Sequence, residues 1–383
     1  MVTYTLISSI NDVPDSWDGL QDDDLFLKTR FLRATELGMP NTIKPYYIAV
    51  FNEEALCGIA ILQHVDFNLD VSLDEANSSL KKQIFKAVNF VSKGQIIVLG
   101  NLLQTGQHSY FVSSNFSLDL FFETVYNAID ELSKRIKAET NKRVKCILLK
   151  DYEITDRIHS QDNFLKQNHF FKVNVQPSMV MNIPPQWNSF DDYVKGLNKK
   201  YRRRFTTASK KGKALSVRLL NQVEIERFEP EIFKLYNEVA SNATINLFKL
   251  PEHHFTTLKH FLQEDFYIYG YFLNEKLIGF FSLIKHNDTL DTYFLGYNNE
   301  LNYTYQIYLN MLYRMIKHGI EQDYKHIIFA RTAMEIKSSV GAKPLEMVMY
   351  MKHTNRFLNR ILKWCVKLMT PKKEWQERHP FVN

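Results

Sequence analysis

Residues 47–62 read YIAVFNEEALCGIAIL, and residues 268–283 read IYGYFLNEKLIGFFSL. In both stretches an apolar run leads into a polar turn that contains Asn-Glu, and a second apolar run opens with Leu-x-Gly. Short apolar runs on either side of such a turn are typical of a β-hairpin. The duplicated hairpin predicts two related domains in one chain.

The sequence after each hairpin follows the same order. Apolar periodicity predicts a third strand, a long helix and a short apolar strand, and a Pro then leads into a closing strand. In the first copy these elements are predicted at 95–103, 118–137, 143–149 and 177–183. In the second copy they are predicted at 290–295, 305–320, 326–330 and 344–350. The repeat therefore predicts an N-terminal domain at 1–183 and a C-terminal domain at 184–383.

Composition narrows the class of protein. The 383 residues exceed what one hydrophobic core usually serves. The three cysteines are far apart and predict reduced thiols, with no disulfide framework and no metal site. No stretch approaches the roughly 20 apolar residues that span a bilayer, and the N-terminus lacks a basic signal region. These features predict a cytoplasmic protein.

The net charge of +6 is unevenly distributed. Residues 1–183 hold 18 Lys/Arg against 22 Asp/Glu, whereas residues 184–383 hold 30 against 20. A basic second half predicts an anionic partner there, such as a phosphate group, nucleic acid or a membrane surface.

A meander of three antiparallel strands followed by helix, strand, helix and strand is an α+β pattern, with a mixed, largely antiparallel sheet flanked by helices in three layers. It resembles the GNAT N-acyltransferase fold, and two such domains resemble Fem-type aminoacyltransferases and other tandem GNAT-like acyltransferases. The most specific matching pieces are FDDY at 190–193, LNKKYRRR at 197–204 and FARTAMEIKSSVGA at 329–342.

The resemblance implies a co-substrate, acyl-CoA, that is not tightly bound. GNAT enzymes hold its phosphates on a loop between the third strand and the long helix, which here falls at 100–109. The candidate residues in this loop are Gly100, Asn101, Thr105, Gly106 and His108. The alternative is a loop whose glycines only supply positive φ. The corresponding segment of the second copy, 297–305, is acidic and bulky.

The segment 329–342 supplies most of the catalytic candidates. Arg331 leaves the end of a strand, Glu335 is a candidate general base, and Lys337 and Ser338 are candidate anion contacts. Tyr293, on the central strand of the second meander, is a candidate proton donor or a core residue. The alternative for Glu335 is a capping box with Thr332.

Two basic segments point to anionic partners. Residues 199–213 contain eight Lys/Arg and no acidic residue, with Lys199, Arg202 and Arg203 as candidate anion contacts. The alternative is a solvated charged helix face. The segment resembles the basic helix of Fem-type proteins, which use charged tRNA as donor. The predicted C-terminal helix, 355–369, is basic and amphipathic and contains Trp364. It either packs on its own domain or lies on an anionic membrane at the inner membrane face.

The leading hypothesis is an N-acyltransferase that moves an acyl group from a thioester to a small-molecule or lipid amine, and not an aminoacyl group. An amphiphilic or cell-envelope acceptor, such as a long-chain base, fits the aromatic abundance. One alternative is aminoacyl transfer from tRNA to a peptidoglycan precursor. The other is a catalytically inactive tandem GNAT scaffold.

Overall fold

The computed structural model describes residues 1–21, 24–67, 88, 91–242, 248–369 and 375–382. These residues form two compact units. Unit 1 contains the described parts of Met1–Val175, Thr244–Phe248 and Glu346–Lys372. Unit 2 contains the described parts of Gln176–Ala243, Lys249–Leu345 and Lys373–Asn383. Each unit is therefore discontinuous in sequence, in contrast to the contiguous halves 1–183 and 184–383 that the repeat predicts.

The strands include the predicted ones in the predicted order, with others among them. They are β1 (Val2–Ile7), β2 (Ile43–Asn52), β3 (Ala55–Phe67), β4 (Gly94–Leu99), β5 (Tyr110–Val112), β6 (Val144–Glu153), β7 (Phe171–Asn174), β8 (Ser178–Asn182), β9 (Ser216–Leu219), β10 (Phe266–Leu273), β11 (Lys276–His286), β12 (Thr289–Tyr297), β13 (His326–Ile328), β14 (Lys343–Leu345) and β15 (Met347–His353).

Each unit contains a long helix, at Leu118–Thr140 in unit 1 and at Ile307–Glu321 in unit 2. The α-helices of the described residues are α1 (Thr29–Gly38), α2 (Leu118–Thr140), α3 (Asp162–Gln167), α4 (Phe190–Gly196), α5 (Lys199–Lys211), α6 (Gln222–Arg227), α7 (Glu229–Ala240), α8 (His254–Leu262), α9 (Asn299–Tyr305), α10 (Ile307–Glu321), α11 (Met334–Ser338) and α12 (Arg356–Met369).

The two sheets have the same topology. The sheet of unit 1 has the order β1-β2-β3-β4-β6-β15-β7, with β5 paired to β3, and that of unit 2 has the order β9-β10-β11-β12-β13-β8-β14. One neighbouring pair in each sheet is parallel, β4 with β6 and β12 with β13, and the remaining pairs are antiparallel. This confirms the predicted α+β class and the mixed, largely antiparallel sheets.

The units exchange their closing strands. β8, which follows the first copy in sequence, pairs between β13 and β14 in unit 2. β15, which follows the second copy, pairs between β6 and β7 in unit 1. The stretch 344–350 is thus not one closing strand, because β14 lies in unit 2 and β15 lies in unit 1.

The repeated Leu-x-Gly motif has a packing reason. A Cβ on Gly58 would lie 2.6 Å from the ring of Phe121 on α2, and one on Gly279 would lie 2.8 Å from the Cε of Met311 on α10. Each glycine lets the long helix pack directly on the central strands. The two units have separate cores, in which α2 and α10 supply many of the buried side chains.

Candidate functional site

The parallel strands of unit 2 separate part-way along their length. β12 and β13 pair at only three positions, ending with Asp291 opposite Ile328. β13 is followed by chain that stays with β8, because the Met179 N–H donates to the Ala330 carbonyl at 3.0 Å. β12 instead continues to Tyr297 along β11. In the described chain, residues 292–297 and 329–330 therefore diverge, and we call the space between them the unit 2 opening.

A β-bulge in β12 lies at this opening. Phe281 pairs with Leu295 and Leu283 pairs with Thr292, so β12 has an extra residue between these positions. A bulge bends a strand and re-aims its side chains, and bulges are frequent beside active sites. The edge of β12 that faces away from β11 can accept an extended chain through its backbone groups.

Tyr293 is one of the bulged residues, and His254 of α8 contacts it. The Tyr293 hydroxyl lies 3.1 Å from the His254 Nε2, and the two rings are stacked. Burial, with the nearby Tyr236, raises the pKa of Tyr293 well above its ordinary value. The hydroxyl is therefore protonated at neutral pH, so it can donate a proton but cannot act as a base.

The loop that follows β13 has an unusual backbone. Ala330, Thr332 and Ala333 have φ values of 55°, 65° and 47°. Positive φ is uncommon for residues other than glycine and is a clear outlier for a β-branched residue such as Thr332. Each such residue costs on the order of 1–3 kcal/mol, and such strain is concentrated at functional sites. Arg331, half-buried, lies in the middle of this strained loop.

Lys337 holds the loop in place. Its side chain is 6% exposed, and its Nζ donates to the carbonyls of Phe329 at 2.5 Å and Arg331 at 2.6 Å. Burial lowers the pKa of Lys337 to about 7. Ser338 is also buried, and its hydroxyl donates to the Glu335 carbonyl and accepts from the Arg378 N–H. These contacts suit both residues to positioning the loop rather than to binding an anion directly.

The predicted capping box at Thr332 and Glu335 is wrong. α11 begins at Met334, one residue later than a Thr332 N-cap would require, and its N-cap, Ala333, makes no side-chain cap hydrogen bond. The Glu335 carboxylate instead accepts from Arg378, whose Nε lies 3.1 Å from Oε1, and Arg378 Nη2 also donates to the same oxygen. Glu335 is thus half-exposed, and its carboxylate lies at the surface in contact with the guanidinium group of Arg378.

A basic surface lies beside α11. A cavity of about 540 Å³ is bounded by Lys200 and Arg204 of α5 and by Glu335 and Arg378. A second groove of similar size shares Lys200 and Arg204, and its remaining lining is Lys199, Arg203 and Thr207. Lys199 and Arg203 are thus brought together. Arg202 is directed elsewhere, because its Nη2 donates to the carbonyls of Lys195 and Leu197 at 2.8 and 2.9 Å.

The equivalent position in unit 1 is filled. β4 and β6 pair from Gln95 to Leu99, and the chain beyond them packs around Lys150. Lys150 is buried, and its Nζ donates to the Gln104 carbonyl at 2.6 Å and to the Asp151 carboxylate. The two copies therefore differ where the central parallel strands end.

The candidate phosphate loop of unit 1 is folded on itself. Asn101 is buried, and its Oδ1 accepts from the Leu103 N–H and from the Gln63 side chain. The N–H groups of residues 100, 102, 104 and 109 also donate within the protein. Gly100 and Gly106 have φ values of 140° and 111°, which suits the alternative that they supply positive φ.

The remaining candidates of this loop are also engaged or covered. His108 Nδ1 lies 2.8 Å from Asp24 Oδ2, and its ring packs on Phe26 with centroids 4.4 Å apart. Thr105 is half-buried. In unit 2 the corresponding segment forms α9, and the Asn299 and Leu301 N–H groups donate to Glu238 and Asn298 side chains. These donors are used within the protein in the described structure.

Sequence reasoning missed two partners of the candidate residues. His254 is fully buried and contacts Tyr293, and no carboxylate or Cys at metal-ligand spacing marks it in the sequence. Arg378, which contacts Glu335, lies in a C-terminal stretch without a recognisable motif. Neither lies at a spacing that marks a site, because each is about 40 residues from its partner, and only the fold brings them together.

Comparison with known proteins agrees with this geometry. Residues 198–338 match the family model described as an acetyltransferase (GNAT) domain. Apart from Phe248, the described residues of that range lie in unit 2, and they include α5, the opening and the strained loop. No curated protein matches the sequence of the chain.

Solved structures extend the likeness to most of the chain. The crystal structure of FemX has a TM-score of 0.52 and 14% identity over 93% of this chain and 99% of FemX. A tandem GNAT protein from the clavulanic acid biosynthesis pathway has a TM-score of 0.51 and 8% identity over 93% and 99% of the two chains. The C-terminal domain of a putative lysylphosphatidylglycerol synthetase from Agrobacterium fabrum has a TM-score of 0.49 and 8% identity, with 92% of both chains covered.

The chain therefore has the tandem GNAT fold, and residues 198–338 are similar to a GNAT acetyltransferase domain. The resemblance and fold class predicted from the sequence are confirmed.

Proposed function

We propose that the chain is an N-acyltransferase that uses a thioester donor, acyl-CoA, and that the reaction takes place at the unit 2 opening. The separation of β12 from β13 carries this proposal, because the pairing of the two strands ends at Asp291 and Ile328, beside a strained loop. The corresponding place in unit 1 is occupied by Lys150 and its partners. The GNAT domain match over the same segment supports an acyltransferase.

The proposed chemistry is direct attack of a neutral amine on the thioester carbonyl. A C–N bond forms and the C–S bond breaks. The amine loses a proton, for which Glu335 is the candidate base, and the leaving thiolate gains one from Tyr293, so protons balance. The raised pKa of Tyr293 keeps its hydroxyl protonated before the reaction but makes it a weaker acid than an ordinary tyrosine, so its proton has to move as the C–S bond breaks. Arg331, held by the Lys337 contact to its carbonyl, is the candidate for contacting the reacting groups.

The proposed acceptor is an amphiphilic or cell-envelope amine, and a long-chain base is the first one to test. Aromatic residues make up 14% of the chain, which suits an acceptor with a long apolar part. Neither candidate phosphate loop offers a ready set of backbone donors, so the proposal assigns the donor's phosphates to the basic side chains around Lys199 and Arg203.

Aminoacyl transfer from charged tRNA is the second candidate. The exposed basic face of α5 favours it, because several phosphates could contact Lys199, Lys200 and Arg203 together. The fold that the chain shares with FemX also keeps Fem-type chemistry open. The narrower expectation that aminoacyl groups are excluded is therefore not supported.

The test is release of free thiol from acyl-CoAs of increasing chain length, with a long-chain base or a short amine as acceptor. Thermal unfolding is measured in parallel, because a ligand at about 100 times its Kd adds about 2.7 kcal/mol of stability. We expect both signals with at least one acyl-CoA. A response to aminoacyl-tRNA alone would establish the second candidate, and binding without turnover would indicate an inactive scaffold.

Arg331→Ala is the matching site variant, and Arg227→Ala, on α6 of the same unit, is its control. We expect a large loss of turnover in Arg331→Ala only. Equal activity of the two variants would remove Arg331 from the site.

A further inference from the structure

Helix α12 packs only part of its apolar surface on unit 1. Leu362 and Cys365 are buried, and the Asn359 side chain donates to the His169 carbonyl at 2.9 Å. The Asn359 side chain also accepts from the His353 N–H at 2.8 Å. The helix is thus fixed to the unit by one face, which leaves the opposite faces to be accounted for.

A second apolar stripe on α12 is exposed. Phe357 is 70% exposed, Trp364 is 63% exposed and Leu368 is 51% exposed. At 3.6 residues per turn, these three positions fall within about 40° of the helix circumference. Among the described residues, the other large exposed apolar side chains lie singly on different elements. Single exposed apolar residues are ordinary, whereas a continuous exposed stripe indicates an interaction surface.

A basic stripe runs beside the apolar one. Arg356, Arg360, Lys363 and Lys367 are exposed and fall within about 60° of each other, roughly a quarter turn from the apolar stripe. The helix contains no acidic residue. A fixed helix with adjacent apolar and cationic stripes matches the interface of an anionic bilayer, where acyl chains and phosphate headgroups lie side by side.

A cavity of unit 1 that reaches the start of α12 is also lined by basic residues. This cavity has a volume of about 1070 Å³ and is lined by seven Lys/Arg, including Arg143, Lys145 and Lys352, and by only two Asp. Its lining ends at Asn355, whose side chain accepts from the Phe357 and Leu358 N–H groups at the start of α12. The cations of α12 therefore continue a wider basic region of the same unit.

We propose that unit 1 docks on an anionic lipid bilayer through α12. Phe357, Trp364 and Leu368 enter the interface, and the basic stripe contacts lipid phosphates. Each cation near such a surface contributes about 1 kcal/mol, or roughly a fivefold change in affinity. Within the described residues, no helix is both long and apolar enough to cross a membrane, so this contact would lie in the plane of the interface. The proposal does not depend on the proposed catalysis.

Charge decides between a bilayer and a second copy of the chain as occupant. Two copies that met through α12 would bring four cations of each helix close together without an acidic partner on the helix. Such a pairing is unfavourable at low salt, whereas an anionic surface is attracted. The bilayer is therefore the occupant that the observations favour.

The experiment is flotation of the full chain with vesicles of phosphatidylcholine alone or mixed with phosphatidylglycerol. We expect binding to the mixed vesicles, weakened by salt, and little binding to phosphatidylcholine. Tryptophan emission should shift to the blue on binding, and this shift should be lost in Trp364→Phe while binding is kept. No binding to either vesicle would overturn the proposal.

Matched variants test each stripe. The triple variant Phe357→Ser, Trp364→Ser and Leu368→Ser should lose binding at least tenfold, whereas Ile154→Ser and Val223→Ser, also exposed, should not. Arg360→Gln with Lys363→Gln should weaken binding about 25-fold, compared with little effect of Lys166→Gln and Lys172→Gln. Undiminished binding of the triple variant would overturn the proposal. The proposal would also be overturned if the wild type sedimented as a dimer and the triple variant sedimented as a monomer.

Discussion

The ammonium group of Lys337 lies 2.6 Å from the carbonyl oxygen of Arg331, within a loop whose backbone has three positive φ values outside glycine. Because the lysine donates to the carbonyls of Phe329 and Arg331, it holds the strained loop in place without a bound ligand. The pair thus links a buried titratable group in α11 to the residue that the proposed function places at the reaction.

Lys337→Met should destabilise the protein and lower activity. The carbonyls of Phe329 and Arg331 lose their donor, and a buried unsatisfied polar group costs about 1–3 kcal/mol. Without that donor the loop can relax, so Arg331 should lose its fixed position. Chemical unfolding and turnover of the two proteins measure both effects.

The same variant should change how stability depends on pH. Burial lowers the pKa of Lys337 to about 7, below its ordinary 10.5, so the unfolded chain binds more protons between these values. Its contribution to stability therefore rises with pH across that window, by at most about 1.4 kcal/mol per pH unit. The rise should be smaller in Lys337→Met and unchanged in the exposed control Lys343→Met. Parallel profiles for wild type and Lys337→Met would show that Lys337 is not responsible.

Tyr293→Phe should lower kcat with little change in KM. The substitution removes the hydroxyl that the proposed mechanism uses to protonate the leaving thiolate, and such proton transfers contribute roughly 10²- to 10⁴-fold. The lost contact to His254 should cost only about 1 kcal/mol of stability. Tyr324→Phe, at a buried tyrosine near the start of β13, is the control. Unchanged kcat would leave Tyr293 as a core residue.

The hairpins and long helices could be predicted because their signals are local. The hairpin predicted within 268–283 is present as β10 and β11, and the helix predicted at 118–137 is present as Leu118–Thr140. The strand predicted at 95–103 ends earlier, at Leu99, because Gly100 turns the chain with a φ of 140°. The exchange of β8 and β15 could not be predicted, since each is a short, mostly buried strand that fits an internal position in either of two sheets with the same strand order.

The candidate site was predictable only in part. Arg331 and Glu335 stand out in the sequence. The strain around Arg331 comes from positive φ angles at Ala330 and Thr332, and neither residue type indicates a positive φ. The contacts of Glu335 with Arg378 and of Tyr293 with His254 are tertiary, so no spacing rule encodes them.

Lys150→Met should destabilise unit 1 without altering turnover. It leaves the buried Asp151 carboxylate without the ammonium group beside it, which costs about 3–5 kcal/mol for a buried pair. Adding Asp151→Asn should recover part of this loss, because the buried charge is then removed. Lys166→Met breaks an exposed pair with Asp162 and should cost less than about 1 kcal/mol. A large fall in kcat in Lys150→Met would place chemistry in unit 1.

Lys199→Ser with Arg203→Ser should weaken binding of a phosphate-bearing donor. Both side chains line the basic groove on α5, and each exposed cation is worth up to about 1 kcal/mol, or a fivefold change in Kd. Lys210→Ser with Lys213→Ser, at the other end of the same basic segment, is the matched control.

With acyl-CoA as donor, KM should rise for the thioester of coenzyme A but not for a phosphate-free thioester of the same acyl group. With tRNA as donor, the dependence of log Kd on log salt should instead become shallower by about one for each charge removed. If the KM for each thioester were the same in the variant as in the wild type, the groove would not take part in donor binding.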